Sequence, residues 1–503
     1  MRHVVTRLGV AVVLWMAGTT PVSAQLPQIG VPKGQLRLEV GGDFAVANSR
    51  LFGGEQPLAA DWNADIGGAF LPEIAGADTR IRAITGNATY RLSTGRSSVI
   101  AATSRGTLVL SAALGLTKRL TIFGTVPFVR ARSQAQLHLD STTADAGLNP
   151  AAVGTTTFFT QLDAALANLS TKITNGDYNA SPTQKALAIQ TLADGTALRT
   201  DMFGLMSDPN TASPFVPTAS SAAGTAILRV IDTLQARMVT LIVPGTFTAD
   251  PVLPTARLSE AAFRSFITSG TGDVRAFLLG DSKIFRPGDS EIGLAYTLFD
   301  HPSFRLAASG LVRLPTGLIS RSNYLFDVAT GDGQTDVEGR VAADLARGFV
   351  GMRLSADYNR QLAATLQRRV FAPSQPLAYR YRLAEVRRDP GDELTLGIEP
   401  VIRLAPGFAL AFGAFHWHHG VDVVSYSGTS VAGVNASDLG VDTDRSATSL
   451  QVGMTYSSWA GIRGTGTPIE ARWAFRKIVS ASGGRVDQTR TLWFQVRAFY
   501  KLW

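Results

Sequence analysis

The sequence predicts an all-β chain: a transmembrane antiparallel β-barrel of about twelve strands, or fourteen, carrying an extracellular helical insertion. Three observations predict it. Near the carboxyl end, Leu492, Phe494, Val496, Ala498, Tyr500 and Leu502 alternate with Trp493, Gln495, Arg497, Phe499, Lys501 and Trp503, so one face of a closing strand is apolar throughout. At the other end, Arg2 and Arg7, the apolar run from Leu8 to Ala17 and the small residues Val22-Ser23-Ala24 read as a secretory signal over 1–24, leaving 25–503 as the barrel. Charged residues make up only 17% of the chain, with 49 Gly and 23 Pro. A soluble chain carries about 25% charge.

Other classes fall away on the same grounds. No later stretch reaches the roughly 20 apolar residues of a helical span, so a membrane location implies strands. The absence of Cys excludes disulfides and a lipid-anchored lipoprotein. The formal charge of +8 includes Arg2 and Arg7, and the cations are spread singly, so no nucleic-acid partner is expected.

The strands can be taken in order. Leu36, Leu38, Val40, Gly42 and Phe44 alternate with Arg37, Glu39, Gly41 and Asp43. Leu108 to Leu116 turns at Thr117-Lys118-Arg119 into Leu120–Val129. Ile292 to Leu298 turns at Asp300-His301-Pro302-Ser303 into Leu306 to Leu314. Val337 to Leu345 turns at Arg347-Gly348 into Met352 to Tyr358, and Leu394 to Leu404 turns at Ala405-Pro406-Gly407 into Phe408–Trp417. Val452 to Tyr456 leads through Ala460–Thr467 to Ile469–Phe475, and the closing strand makes twelve. Short and long connections alternate, as periplasmic turns and outer loops do in such barrels, and an even count puts both ends on the periplasmic side. Fourteen strands result if Arg80–Leu92 and Val274–Leu279 also count.

The faces opposite the apolar ones are polar. An ionised group on the lipid face costs about 2–4 kcal/mol near the midplane, so these residues should point into the lumen, where opposite charges pair across strands. The pore-lining candidates are Arg305, Arg313, Asp336, Glu338, Arg340, Asp344, Arg353, Asp357, Glu393, Glu399, Arg403, Glu470, Arg472, Arg476 and Arg497. They either fill and rigidify the interior or touch a permeating solute.

Residues 140–273 interrupt the strand pattern. Phe158, Phe159, Leu162, Leu166, Leu169 and Ile173 recur at helical spacing. Ser181-Pro182-Thr183-Gln184 reads as an N-cap with Pro in the first turn, Ile227 to Leu241 marks another helix, and Thr255 is the expected cap of a fourth through Phe266. The strand before this insertion rises from a short turn and the strand after it descends to one. The insertion therefore belongs outside the wall on the extracellular side, packed largely on itself.

Chemical motifs are sparse. His416-Trp417-His418-His419 brings at most two imidazoles to one side of a strand with no neighbouring carboxylate or thiol, and reads as an outer aromatic girdle around Trp417. Gly331–Asp336 lacks the acidic spacing of a calcium loop and reads as a tight outer loop. No Gly-x-Ser-x-Gly elbow occurs, nor a His closely followed by Ser-Asn, so neither a nucleophile nor an enzyme is expected.

Gly288-Asp289-Ser290, Ile292–Leu298, the short turn and Leu311–Gly317 with its Pro315-Thr316-Gly317 ending resemble the outer-membrane transporters linked to meta-pathway phenol degradation. Gly331–Gly348 and the strand bearing Tyr358 are similar to the segment that follows in that family, and Thr121–Pro127 matches loosely. The resemblance covers about 275–420. It implies a distant relation to FadL-type channels for hydrophobic compounds. The long insertion, and the lack of a recognisable hatch before Leu36, depart from that pattern.

The expected function is an outer-membrane channel for passive uptake of small hydrophobic or aromatic compounds, with no cofactor. Its expected partners are outer-membrane lipid, the barrel assembly machinery and a small-molecule solute. The alternatives are a closed structural barrel whose insertion binds a partner, and a barrel hydrolase. Leu354→Arg or Val341→Arg should impair assembly by placing a cation in hydrocarbon, whereas Arg353→Leu should be tolerated better. Equal folding yields of the three in detergent would reverse the assigned faces.

Overall fold

Every strand of the wall finds a partner on both sides. The computed structural model describes residues 30–503 apart from 69, 72–73, 151–154, 270–273, 275–276, 279–280, 326, 373–374, 376 and 459–466, and the expected signal lies outside them. The wall strands are β1 (Gln35–Ala47), β2 (Arg96–Gly115), β3 (Leu120–Asp140), β4 (Ser290–His301), β5 (Phe304–Leu314) and β6 (Asp336–Arg347). They continue as β7 (Val350–Gln361), β8 (Glu393–Ala405), β9 (Phe408–His419), β10 (Arg445–Ser457), β11 (Ile469–Gly483) and β12 (Arg490–Lys501). Each is antiparallel to the next in chain order. The ring closes where Leu36 lies opposite Tyr500 and Phe44 opposite Leu492.

These are the twelve runs of alternation read from the sequence. The fourteen-strand alternative does not hold. Arg80–Leu92 begins inside helix α1 (Ala75–Thr85), where Ala77, Ile81 and Ile84 fall at helical spacing and are buried. Of Val274–Leu279, Phe277–Leu278 pairs with Tyr324–Leu325 in a separate two-stranded sheet. One seam carries an extra piece: β3 pairs with β4 from Leu120 to Thr125, and with the short strand Asp281–Pro287 from Phe128 to Gln134.

Period-2 geometry sorts the side chains. Leu38, Val40, Leu294, Val341, Leu354, Leu396, Val452 and Phe494 are exposed on the outer surface, while their sequence neighbours turn inward. Phe299, Phe304, Phe349, Phe408 and Tyr500 are also exposed, and all lie at the end where the short turns are. That placement is expected of an aromatic belt at a membrane interface. The tightest turns depend on glycines with positive φ, Gly348 at 59° and Gly407 at 80°, a region costly for residues bearing a Cβ. At the same end, residues 30–34 turn into the barrel. Val31 is buried with Ala113 and Phe499, and its amide donates to Thr121 Oγ1 at 3.0 Å. Among the described residues, a short inward segment, 30–34, thus precedes Leu36.

The long connections gather at the opposite end and build a cap. Its helices are α2 (Thr155–Asn175), α3 (Pro182–Met206), α4 (Ala222–Thr240) and α5 (Glu260–Thr268). Ser181 accepts from the Gln184 amide as its motif predicts. The cap of α5 is Ser259, accepting from Ala262, rather than Thr255, because the chain stays non-helical through 258.

The helices do not pack only on one another. One apolar core joins Phe158, Leu162, Ile231 and Phe263 of the insertion to Ile66, Leu71, Ile74 and Ile81 of the first long loop. Val99, Leu137 and Leu139, on the extended ends of β2 and β3, join the same core. An insertion packed only on itself would leave this loop's apolar residues uncovered; instead the two loops share one interior. Each large side chain fully buried there contributes about 1.5–3 kcal/mol.

Replacing 150–265 with a short Gly/Ser linker should therefore leave a heat-resistant barrel whose segment 48–95 becomes sensitive to trypsin. A 48–95 segment as resistant as in the full chain would disprove the shared core.

Candidate functional site

The interior of the barrel is organised by arginines, most of them held by carboxylates projecting from other strands. Arg313 on β5 reaches Glu291 on β4 and Asp336 on β6 at 2.9 Å, and Glu338 at 3.0 Å. Register explains this: Glu291 and Asp336 both stand opposite Arg313 on flanking strands. Arg340 extends the cluster to Glu338 and, at 4.0 Å, to Asp357.

A second group lies across β6 to β11. Arg353 grips Asp344 through two bonds of 2.7 and 2.8 Å. Arg472 reaches Glu399, which also accepts from Gln451 at 2.9 Å. Arg476 gives two bonds, 3.0 and 2.8 Å, to the neutral Gln451 amide oxygen. A third group straddles the ring closure, where Arg497 bonds Glu39 at 2.8 Å and lies 3.7 Å from Glu470, with Arg37 3.6 Å from Glu39.

Of the remaining candidates, Glu393 meets His419 at the long-loop rim, and Arg305 pairs with Asp300 beside the β4–β5 turn. Arg403 stands near the β8–β9 turn, apart from all three clusters; its backbone amide bonds Phe349. Sequence reasoning passed over Arg37, Glu39, Gln451 and Gln495, which complete these networks. The alternation of β1 shows the first two on its inward side, but the stagger that sets them against Arg497 is a property of ring closure.

Between the second and third groups lies a cavity of about 770 Å³, lined by Arg353, Glu399, Arg472 and Arg476 and by the rings of Phe415, Trp417 and Trp493. Trp417 is therefore not part of an outer girdle. On β9 the outer positions are Leu410, Phe412 and His416, and the same period carries Trp417 and His419 inward. His416 and His418 remain on the outer side, against Thr448 and Ser446 at 3.1 and 3.0 Å.

His419 is buried between Glu393, at 3.2 Å, and Asp422, at 2.9 Å. Asp422 lies beyond the end of β9. Burial would raise its carboxyl, but the hydrogen bond from His419 and the charge of Arg388 outweigh that and hold it at about 2.

The segment carrying the family resemblance forms a knot at the same rim. Asp289 interrupts the wall after the Asp281–Pro287 strand and accepts from the Gly317 amide at 2.8 Å and the Asp332 amide at 3.3 Å. Thr316 donates to the Gly288 carbonyl at 2.7 Å.

An apolar belt outside, ion-paired arginines inside and a cap over one end define a transmembrane β-barrel with an internal chamber. No family model and no curated protein matches the chain. Among solved structures it is similar to an outer membrane channel from Pseudomonas putida F1, at 11% identity over 96% of this chain and 100% of that one, with a TM-score of 0.41. It is also similar to the toluene transporter of Ralstonia pickettii, at 11% identity over 93% and 90% with a TM-score of 0.28. A Pseudomonas aeruginosa FadL homologue gives 9% identity over 93% and 90%, with a TM-score of 0.24. Values this low transfer no function, and the barrel assignment stands on the strand ladder itself.

One sequence-based expectation changes with this geometry. Arg353 lines the cavity, but its guanidinium is held by two bonds to the buried Asp344. Arg353→Leu strands a carboxylate and should cost about 3–5 kcal/mol. The double variant with Asp344→Leu should recover most of that loss in denaturant unfolding. Additive losses would show that the pair is not coupled.

Proposed function

We propose that this protein is a channel of the bacterial outer membrane through which small hydrophobic or aromatic compounds enter passively. The observation that carries the reading is the internal chamber, walled by Phe415, Trp417 and Trp493 inside a closed barrel with an apolar exterior. A barrel satisfies all its backbone groups within the membrane, and the aromatic belt at the short-turn end supports placing that end at the periplasmic interface. The cap then faces outside, and the proposed export signal supplies the route. The resemblance around Gly288 and Pro315 agrees with this reading, and a gradient-driven channel requires no cofactor or nucleophile.

A second reading has its own observation. The Arg313 and Arg340 clusters occupy the lumen along β4 to β7, as they would in a barrel kept closed whose cap binds a partner.

Proteoliposomes decide between them. The channel reading expects toluene or phenol to enter protein-containing vesicles faster than empty ones, and planar bilayers to show unitary currents that aromatic solute reduces. Vesicles no more permeable than empty ones would overturn it in favour of the closed barrel.

A further inference from the structure

The chamber holds more cationic capacity than a passage for neutral hydrocarbons requires. Three arginines lie over its aromatic rings: Arg476 is 4.0 Å from the Phe415 centroid, Arg472 5.0 Å from Trp493 and Arg445 5.5 Å from Trp417. Arg472 is neutralised by Glu399, and Arg353 by Asp344. Among the described residues, Arg476 and Arg445 have no carboxylate at ion-pair distance. Arg476 gives its bonds to the uncharged Gln451, and Arg445 donates to the Arg485 carbonyl at 3.0 Å. Among the described residues, the buried Nε groups of Arg445 and Arg472 have no acceptor. A buried donor without a partner is costly, and a guanidinium presents a planar fork that suits a carboxylate.

We propose that this chamber is a binding site for an aromatic carboxylate. The carboxylate is held by Arg476, with Arg445 nearer the rim, and the ring lies among Phe415, Trp417 and Trp493. Asp43, Glu399 and Asp487 also line the cavity. They disfavour a dianion such as a phosphate ester. The site rests on the channel reading for its route of entry, but the binding itself does not.

The test is titration calorimetry on the full-length protein in detergent, its fold checked by heat-modifiable migration. The probes are benzoate, benzyl alcohol and acetate. Benzoate should bind saturably and at least tenfold more tightly than either of the others. Arg476→Met should weaken benzoate tenfold or more and leave benzyl alcohol unchanged. Arg445→Met provides the same comparison if the first variant does not fold. Benzyl alcohol or acetate binding as tightly as benzoate would overturn the proposal, as would a folded variant with unchanged benzoate affinity. Benzoate binding to a barrel that conducts nothing would support the site while removing the channel. Conduction without benzoate binding would overturn the site and leave the channel.

Discussion

The barrel depends on one hydrogen-bond ladder, the pairing of β12 with β1 that joins residues from the two ends of the chain. Within hydrocarbon an unpaired strand edge would leave a row of amides and carbonyls without partners, each costing several kcal/mol. Once the ring is shut, every wall strand has two neighbours, and the inward and outward faces are fixed together. A shift of one residue at the closure would turn Arg37 and Glu39 toward lipid and Leu36 and Leu38 toward the lumen.

Closure also makes the interior chemistry possible. Arginines that would be prohibitive outside are placed within reach of carboxylates on the neighbouring strands, as Arg313 is with Glu291, Asp336 and Glu338. The three clusters are uneven around the ring. Between β4 and β7 charges of both signs bond one another, whereas toward β9, β10 and β11 aromatic rings and a neutral amide replace part of the acidic complement, and there the cavity opens.

The wall was legible in the sequence because each strand repeats a simple period, and the twelve runs from Leu36 to Leu502 are the twelve strands. Two things were not. The inward position of Trp417 was obscured by the habit of assigning aromatic residues to the interface, although counting in twos from Phe412 gives the right side. The shared core of the cap could not be read at all, since the helical spacing of Phe158 to Ile173 shows that a face is apolar and not what covers it. Its partner, around Ile66 to Ile81, lies on the far side of two wall strands in the chain. Partner choice inside the lumen was hidden for a similar reason: charge on a face is local, while the stagger between strands belongs to the closed ring.

The shared core of the cap also bears on the order of assembly. It links chain segments on either side of the β2–β3 hairpin, while the ring closure must bring together positions near 36 and 500. Loop-closure entropy favours the nearer contacts, so the cap and its hairpin form a nucleus before the last strand finds the first. On this ordering the cap acts as a clamp that keeps the longest pair of wall strands in register until the remaining ten are in place.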